Sequence, residues 1–327
     1  MLNGCSRARS VVLFSALACA VQAAAQDTPD DIKRILLDAS FGPAAGLREV
    51  YDRALVDQPK EGVAVMRDIA YGSHPLQQLD VYRPDGVTNA PVVLFVHGGG
   101  YTGGSRNMSP ERWANIMHYF AGHGMVGVNA DYRLAPEYPW PAGGEDVRDM
   151  VRWIKGHIAE HGGDPQRIFA LGFSAGATHV GTYAFDPRFQ PGTGHGLDGV
   201  VLISGRYRLH WDPDDPSMTG GVTQYFGDDS ERWASRSITS WVPNSDIPTM
   251  IVFSEHDQRN LVATSAELFV EICAARDGRC PRMVQMKYHN HLSQIQSFNT
   301  QDQFLGKEVL EFIHEGAARQ RESLLMR

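Results

Sequence analysis

Cysteine is scarce in this 327-residue sequence: there are four, and Cys5 and Cys19 fall within the first 25 residues. The other two, Cys273 and Cys280, lack the paired CxxC spacing of a metal site, and no HExxH histidine pair accompanies them. No metal ligands are therefore assigned, and no cofactor is expected. Basic residues are outnumbered, 30 Lys and Arg against 38 Asp and Glu, for a formal net charge of −8. No basic stripe interleaved with aromatics is present, which argues against a nucleic-acid partner. The acidity serves solubility rather than a specific partner. The apolar stretch 11–21 is too short to span a bilayer, so no stable membrane insertion is expected. Gly98-Gly99-Gly100 is no phosphate loop, because the Lys-Ser/Thr ending is missing. Internal repeats and low-complexity segments are absent as well.

At the N-terminus, Arg7 and Arg9 precede that apolar stretch, and Ala23-Ala24-Ala25 offers a small-residue cleavage site. Residues 1–25 read as a secretory signal, which implies a secreted or periplasmic protein. In such an oxidising compartment, Cys273 and Cys280 would close a short surface loop as a disulfide. Residues 26–60, with helical signals at 31–38 and 47–56, read as an N-terminal arm or partial lid. The main domain is then 61–327. Within it, 65–69 and 79–82 form an opening hairpin, and 92–96, 125–128, 168–171, 200–203, 249–253 and 283–288 read as further strands. Trp113, Ile116 and Phe120 recur at helical spacing, as do Leu261, Leu268 and Ile272, then Leu305, Val309 and Phe312. Strands alternating with helices predict an α/β fold with a mostly parallel sheet covered on both faces. The segment 207–242, rich in Asp, Pro, Trp and Ser, interrupts that alternation as a lid or substrate wall.

The most informative stretch is Gly172-Phe173-Ser174-Ala175-Gly176, directly after the apolar run 168–171. Gly-x-Ser-x-Gly between a strand and a helix lifts the serine hydroxyl above the sheet on a strained turn. A hydroxyl is a poor nucleophile until a base takes its proton, so a histidine, an acid and an anion-binding loop should accompany Ser174. His97-Gly98-Gly99-Gly100 follows the strand 92–96. Its glycines let backbone N–H groups approach a developing oxyanion, and Gly99, Gly100 and Ala175 are the expected donors. His97 is read as an organiser of that loop.

In these motifs, with Asp131-Tyr132-Arg133-Leu134-Ala135-Pro136-Glu137 and Pro141-Ala142, the chain resembles the hormone-sensitive-lipase-like esterases of the α/β-hydrolase superfamily. The resemblance spans roughly residues 63–313 and points toward secreted acetyl-xylan and feruloyl-type esterases, with arylformamidases as near relatives. It implies that residues 132–137 brace the oxyanion loop. It also implies the chain order Ser, acid, His. The sequence departs from the family at Phe173, where Asp is commoner. Of Glu255 and Asp257, both after the strand 249–253, Asp257 fits the family position. Of His289 and His291, the second matches the Asn-His-x-Ser form of the near relatives, although both could face the same side of an extended segment. The reading is an exported serine esterase acting on small, short-chain carboxylic esters through Ser174, His291 and Asp257. Tyr101, Phe173, Trp211 and Trp241 are candidate pocket walls. An aryl-formamidase-like amide hydrolase and a catalytically silent hydrolase-fold binding protein are the alternatives; the oligomeric state is not legible.

Overall fold

Along a strand, successive side chains point to opposite faces, so a strand apolar at every position needs cover on both. In β3 (Ala90–Val96), Val92, Leu94 and Val96 enter one buried cluster, while Val93 and Phe95 enter another. In β6 (Gly199–Ile203), Val200 and Leu202 part from Val201 and Ile203 in the same way. These runs are the middle of an eight-stranded sheet, seen in a computed structural model that describes residues 30–38, 58–108, 112–192, 194–211, 218 and 220–325.

The strand order is β1-β2-β4-β3-β5-β6-β7-β8, with β1 (Val63–Ala70), β2 (Gln78–Pro84), β4 (Val126–Ala130), β5 (Gly163–Phe173), β7 (Thr249–His256) and β8 (Arg282–Asn290). The β1/β2 and β2/β4 pairs are antiparallel, and every later pair is parallel. The N-terminal helix α1 covers Asp30–Asp38. One face of the sheet is covered by α2 (Arg112–Gly122), whose Trp113, Ile116, Met117 and Phe120 are buried with Val309 and Phe312 of the C-terminal helix. The other face is covered by α3 (Ala142–His157), α4 (Ala175–Phe185) and α6 (Arg259–Ala275), through Val147, Ile154, Val180, Leu268 and Ile272. The helix α5 (Gly221–Phe226) belongs to the segment 207–242, and α7 (Phe304–Leu325) ends the described chain.

Every predicted strand and each of the three predicted helical stripes is present; the strand expected at 125–128 runs Val126–Ala130, and the others extend beyond their expected ends. The signal segment 1–25 and the predicted helix 47–56 lie outside the described residues. Cys273, in α6, and Cys280 are joined as a disulfide. Segment 207–242 packs Val222, Tyr225, Phe226 and Trp233 into a small cluster with Tyr101 and Ala175. Part of it is thus a fixed wall beside the sheet's carboxyl edge.

Candidate active site

In an open parallel sheet, loops leaving the carboxyl ends of neighbouring strands converge on one edge. Val96 pairs with Gly172, Phe173 with Ile203, and His256 with Asn290. Those registers bring the loop 97–100, Ser174, Ser204, Asp257 and His291 together, although up to 194 positions separate them in sequence order.

Ser174 lies between β5 and α4 with φ 54° and ψ −120°, a backbone conformation that side-chain-bearing residues seldom adopt. The flanking glycines make the turn possible. A Cβ on Gly172 would lie 2.6 Å from Ala177 Cα, and one on Gly176 would lie 2.1 Å from the Val96 carbonyl oxygen. Both obstacles are backbone and cannot swing away. The turn sets Ser174 Oγ 3.0 Å from His291 Nε2, while His291 Nδ1 lies 2.9 Å from Asp257 Oδ1. His291 is partly exposed, and its ring packs against Phe173 at a centroid distance of 4.9 Å.

Asp257 is buried, which by itself favours the neutral acid. Its hydrogen bonds outweigh that cost. Oδ1 faces His291 and accepts from the Gln258 N–H at 2.9 Å; Oδ2 accepts from the Ser204 hydroxyl, from Ser254 Oγ at 3.3 Å and from Gln294 Nε2 at 3.3 Å. Burial pushes the carboxyl up, but the bonds from His291, Ser204 and Gln258 hold it below the ordinary value of 3.8. Gln294 Nε2 also donates to Ser204 Oγ at 2.7 Å and to the His291 carbonyl at 3.1 Å. Ser204, Ser254 and Gln294 were not singled out in the sequence. A polar residue directly after an apolar strand was the available cue for Ser204, whereas nothing local marked Gln294.

The two competing candidates have other partners. Glu255 accepts the Tyr288 N–H at 2.8 Å. His289 is fully buried, with Nε2 2.8 Å from Asp302 Oδ2 and Nδ1 3.0 Å from Ser293 Oγ. Two residues apart, His289 and His291 have opposite surroundings because the strand ends at Asn290 and the chain turns there. Asn290 Oδ1 caps that turn by accepting from the Leu292 and Ser293 N–H groups, at 3.1 and 2.9 Å.

The loop 97–100 rests on a second polar cluster. His97 Nδ1 lies 2.7 Å from the Gly98 carbonyl, its Nε2 lies 3.1 Å from Asp131 Oδ1, and its ring stacks on Tyr132 at 4.5 Å. Tyr132 Oη donates to the His97 carbonyl at 3.1 Å, and the Ala135 N–H to the Tyr101 carbonyl at 3.0 Å. The segment 131–135 thus holds the loop from beneath. Arg106 joins the cluster through hydrogen bonds to Asp131 and Asp68 and a 3.0 Å bond to Asp80. Burial would raise the Asp131 carboxyl, but His97 and Arg106 bring it below its ordinary value. His179, one turn beyond the serine on α4, is enclosed by Tyr101, Tyr132 and Tyr225. Its ring nitrogens have no hydrogen-bond partner among the described residues, and burial together with His97 pushes its pKa down to about 3. It is a neutral aromatic spacer.

Gly98, Gly99, Gly100, Ser174, Ala175 and His291 all line one cavity of about 400 Å³. Among the described residues, no intramolecular hydrogen bond takes up the amides of Gly99, Gly100 or Ala175. Ala175 is moreover the first residue of α4, where helical N–H groups lack intrahelical partners and the helix dipole favours negative charge. Of the predicted pocket walls, Tyr101 and Phe173 line the cavity, with Trp113, Val222 and Leu261. Trp211 and Trp241 do not. Trp211 is largely exposed and stacks on Trp233 at 6.1 Å; Trp241 donates to the Ser235 carbonyl and lies under the Arg188 guanidinium. Both sit in segment 207–242; among its described residues, Gly221 and Val222 on α5 line the cavity instead.

Residues 79–185, about a third of the chain, match the BD-FAE family. Esterase LipC of Mycobacterium tuberculosis is 36% identical over 150 residues, which cover 43% of this chain and 36% of that protein. Carboxylesterase NlhH of the same organism is 45% identical over 98 residues, covering 29% of this chain and 30% of the relative. The chain therefore spans about a third of the length of the curated relatives it matches first. A crystal structure of esterase B from Lactobacillus Rhamnosis, described as inhibited by a tributyrin phosphonate, superposes with a TM-score of 0.71 at 18% identity. That superposition covers 92% of this chain and 100% of the other. The sheet order, the turn around Ser174 and these likenesses agree on an α/β-hydrolase fold.

Proposed function

We propose that this protein is an exported serine esterase that hydrolyses short-chain carboxylic esters through an acyl-enzyme. One observation carries the reading: the unbroken hydrogen-bond chain Ser174 Oγ, His291 imidazole, Asp257 carboxylate, opening into a cavity edged by unengaged backbone amides. In this mechanism His291 Nε2 takes the Ser174 proton as Oγ attacks the acyl carbon. Asp257 keeps the proton of the neutral ring on Nδ1 and stabilises the imidazolium that forms. Negative charge gathering on the carbonyl oxygen is met by the Gly99, Gly100 and Ala175 N–H groups. Such donors, fixed before reaction, contribute roughly 2.7–4 kcal/mol each. His291 next gives its proton to the leaving alcohol. A water, deprotonated by the same imidazole, cleaves the acyl-enzyme and releases Ser174.

Trp113, Phe173, Val222 and Leu261 make a largely apolar chamber of limited size, which supports small acyl groups. The relatives named as esterases and carboxylesterases support the reaction class. Export is supported by the character of residues 1–25 and by the Cys273–Cys280 disulfide. The test is kcat/KM across p-nitrophenyl esters from acetate to decanoate, beside an N-formyl aryl amine. The expected profile peaks at four carbons or fewer, with the formamide at least a hundredfold poorer. A formamide preferred over acetate would replace the esterase reading with an amide-hydrolase one.

A further inference from the structure

Gln294 is fully buried, on the short helix Ser293–Gln296 that follows the turn carrying His291. Its amide nitrogen meets Ser204 Oγ at 2.7 Å, the His291 carbonyl at 3.1 Å and Asp257 Oδ2 at 3.3 Å. Those three residues are the first beyond β6, β7 and β8, which lie side by side in the sheet. One side chain thus links the acid, the hydroxyl that donates to it and the base across three strand ends.

The orientation of that amide follows from its surroundings. A carboxylate and a carbonyl only accept, so the NH2 end must face them. Its two N–H groups serve three acceptors, and the longest contact, to Asp257, is the shared one. The shortest has a directional consequence. Ser204 Oγ accepts from Gln294, which leaves its own proton for Asp257 Oδ2. Without that donor the Ser204 hydroxyl is free to turn away. The arrangement also carries costs. Gln294 Oε1 is buried with no hydrogen-bond partner among the described residues, and Ser204 holds φ at 50°, in the left-handed region. A fold keeps an orphaned polar atom beside a strained backbone where position matters more than stability.

Resting on the esterase reading above, we infer that Gln294 is a positioning residue for the reaction. It holds the Asp257 carboxylate against the His291 backbone and keeps Ser204 donating to Asp257. Gln294 does not line the Ser174 cavity, so its influence passes through the acid and the base rather than through substrate.

Gln294→Met keeps the length of the side chain and removes the donor contacts together with the unpartnered carbonyl, so the fold should lose little. Variants are assayed on p-nitrophenyl acetate, with active sites counted by fluorophosphonate so that unfolded protein drops out. The kcat of Gln294→Met should fall about 10- to 100-fold while KM stays within about threefold. Its Tm should stay within about 3 °C of wild type. Gln294→Glu has the same shape but turns an oxygen toward Asp257, and its kcat at about pH 8 should fall at least as far. A loss in Gln294→Met smaller than about threefold overturns the inference, as does a Gln294→Glu variant as active as wild type. So does a Gln294→Met protein that unfolds, because the amide would then serve the fold alone. A raised KM with kcat unchanged would move Gln294 into substrate binding and overturns it as well. Wild-type protein that neither hydrolyses the ester nor takes label at Ser174 sinks the esterase reading itself, and this inference with it.

Discussion

Replacing Asp257 by Asn changes one atom's hydrogen-bonding role, and the surroundings of that atom fix the consequence. Five groups address the carboxylate: His291 Nδ1 and the Gln258 N–H at Oδ1, Ser204, Ser254 and Gln294 Nε2 at Oδ2. An amide NH2 on the Oδ2 side would confront the Gln294 NH2, which cannot accept. On the Oδ1 side it would confront the Gln258 N–H, and His291 would have to accept at Nδ1. That second arrangement moves the imidazole proton to Nε2, where it faces Ser174 Oγ at 3.0 Å and leaves no lone pair to act as base. The two serine hydroxyls can rotate to accept, but Gln294 is already committed to Ser204 and to the His291 carbonyl. Either choice thus leaves a clash of donors or the wrong tautomer. In triads of this kind the wrong tautomer costs about 10⁴-fold in kcat. Asp257→Asn should therefore turn over p-nitrophenyl acetate 10³- to 10⁴-fold more slowly (order of magnitude) with KM little changed, and keep its far-UV circular dichroism. A kcat within tenfold of wild type would refute the reasoning, because it would mean that Asp257 does not set the tautomer of His291.

Other outcomes follow from the same geometry. A Cβ on Gly98 would lie 2.9 Å from Ser174 Cβ, so Gly98→Ala should cut kcat by about two orders of magnitude by displacing the hydroxyl; unaltered kcat would show that the loop gives way freely. Ser204→Ala removes a charge-assisted hydrogen bond and should destabilise the fold at pH 7 by about 1.5–3 kcal/mol in urea titrations. Because the folded Asp257 carboxyl lies below its ordinary value, that contribution is present above about pH 4 and is lost as pH falls through the folded value. The gap between variant and wild type should accordingly shrink by pH 3, and a gap independent of pH would contradict it. Cys273→Ser with Cys280→Ser opens a short loop between residues seven apart, far along α6 from the site. It should lower stability by roughly 2 kcal/mol while leaving kcat/KM within twofold. A tenfold loss of activity would instead tie this loop to the cavity.

The fold was legible because its strands are apolar on both faces. Val92 through Val96 and Val200 through Ile203 have no polar position, which only a sheet covered on both sides accommodates. Ser174 and the loop 97–100 were legible for a related reason: each follows such a strand directly, and glycines mark where the backbone must pass close to itself. The pairing of Asp257 with His291 was harder, because it depends on β7 and β8 ending side by side, and strand neighbours are not written in either segment. His289 was indistinguishable locally from His291. It is the turn at Asn290, capped by its own side chain, that sends one imidazole into the interior and the other to the cavity. Trp211 and Trp241 misled because large aromatics in an insertion suggest a binding wall. Each finds a partner within that insertion or beside it, and among the described residues of the insertion it is Gly221 and Val222 of α5 that line the cavity. The supports of Asp257, namely Ser204, Ser254 and Gln294, come from three separate elements and were visible only once these were assembled.

The most direct test of the account is the site of covalent capture. Incubated with a fluorophosphonate, the wild-type protein should gain one phosphonyl group by intact mass, located on the peptide containing Ser174, with loss of p-nitrophenyl acetate hydrolysis in step. Ser174→Ala should take up no label and show no turnover. A label on another residue, or esterase activity surviving in Ser174→Ala, would contradict the claim that the Ser174–His291–Asp257 chain carries the chemistry.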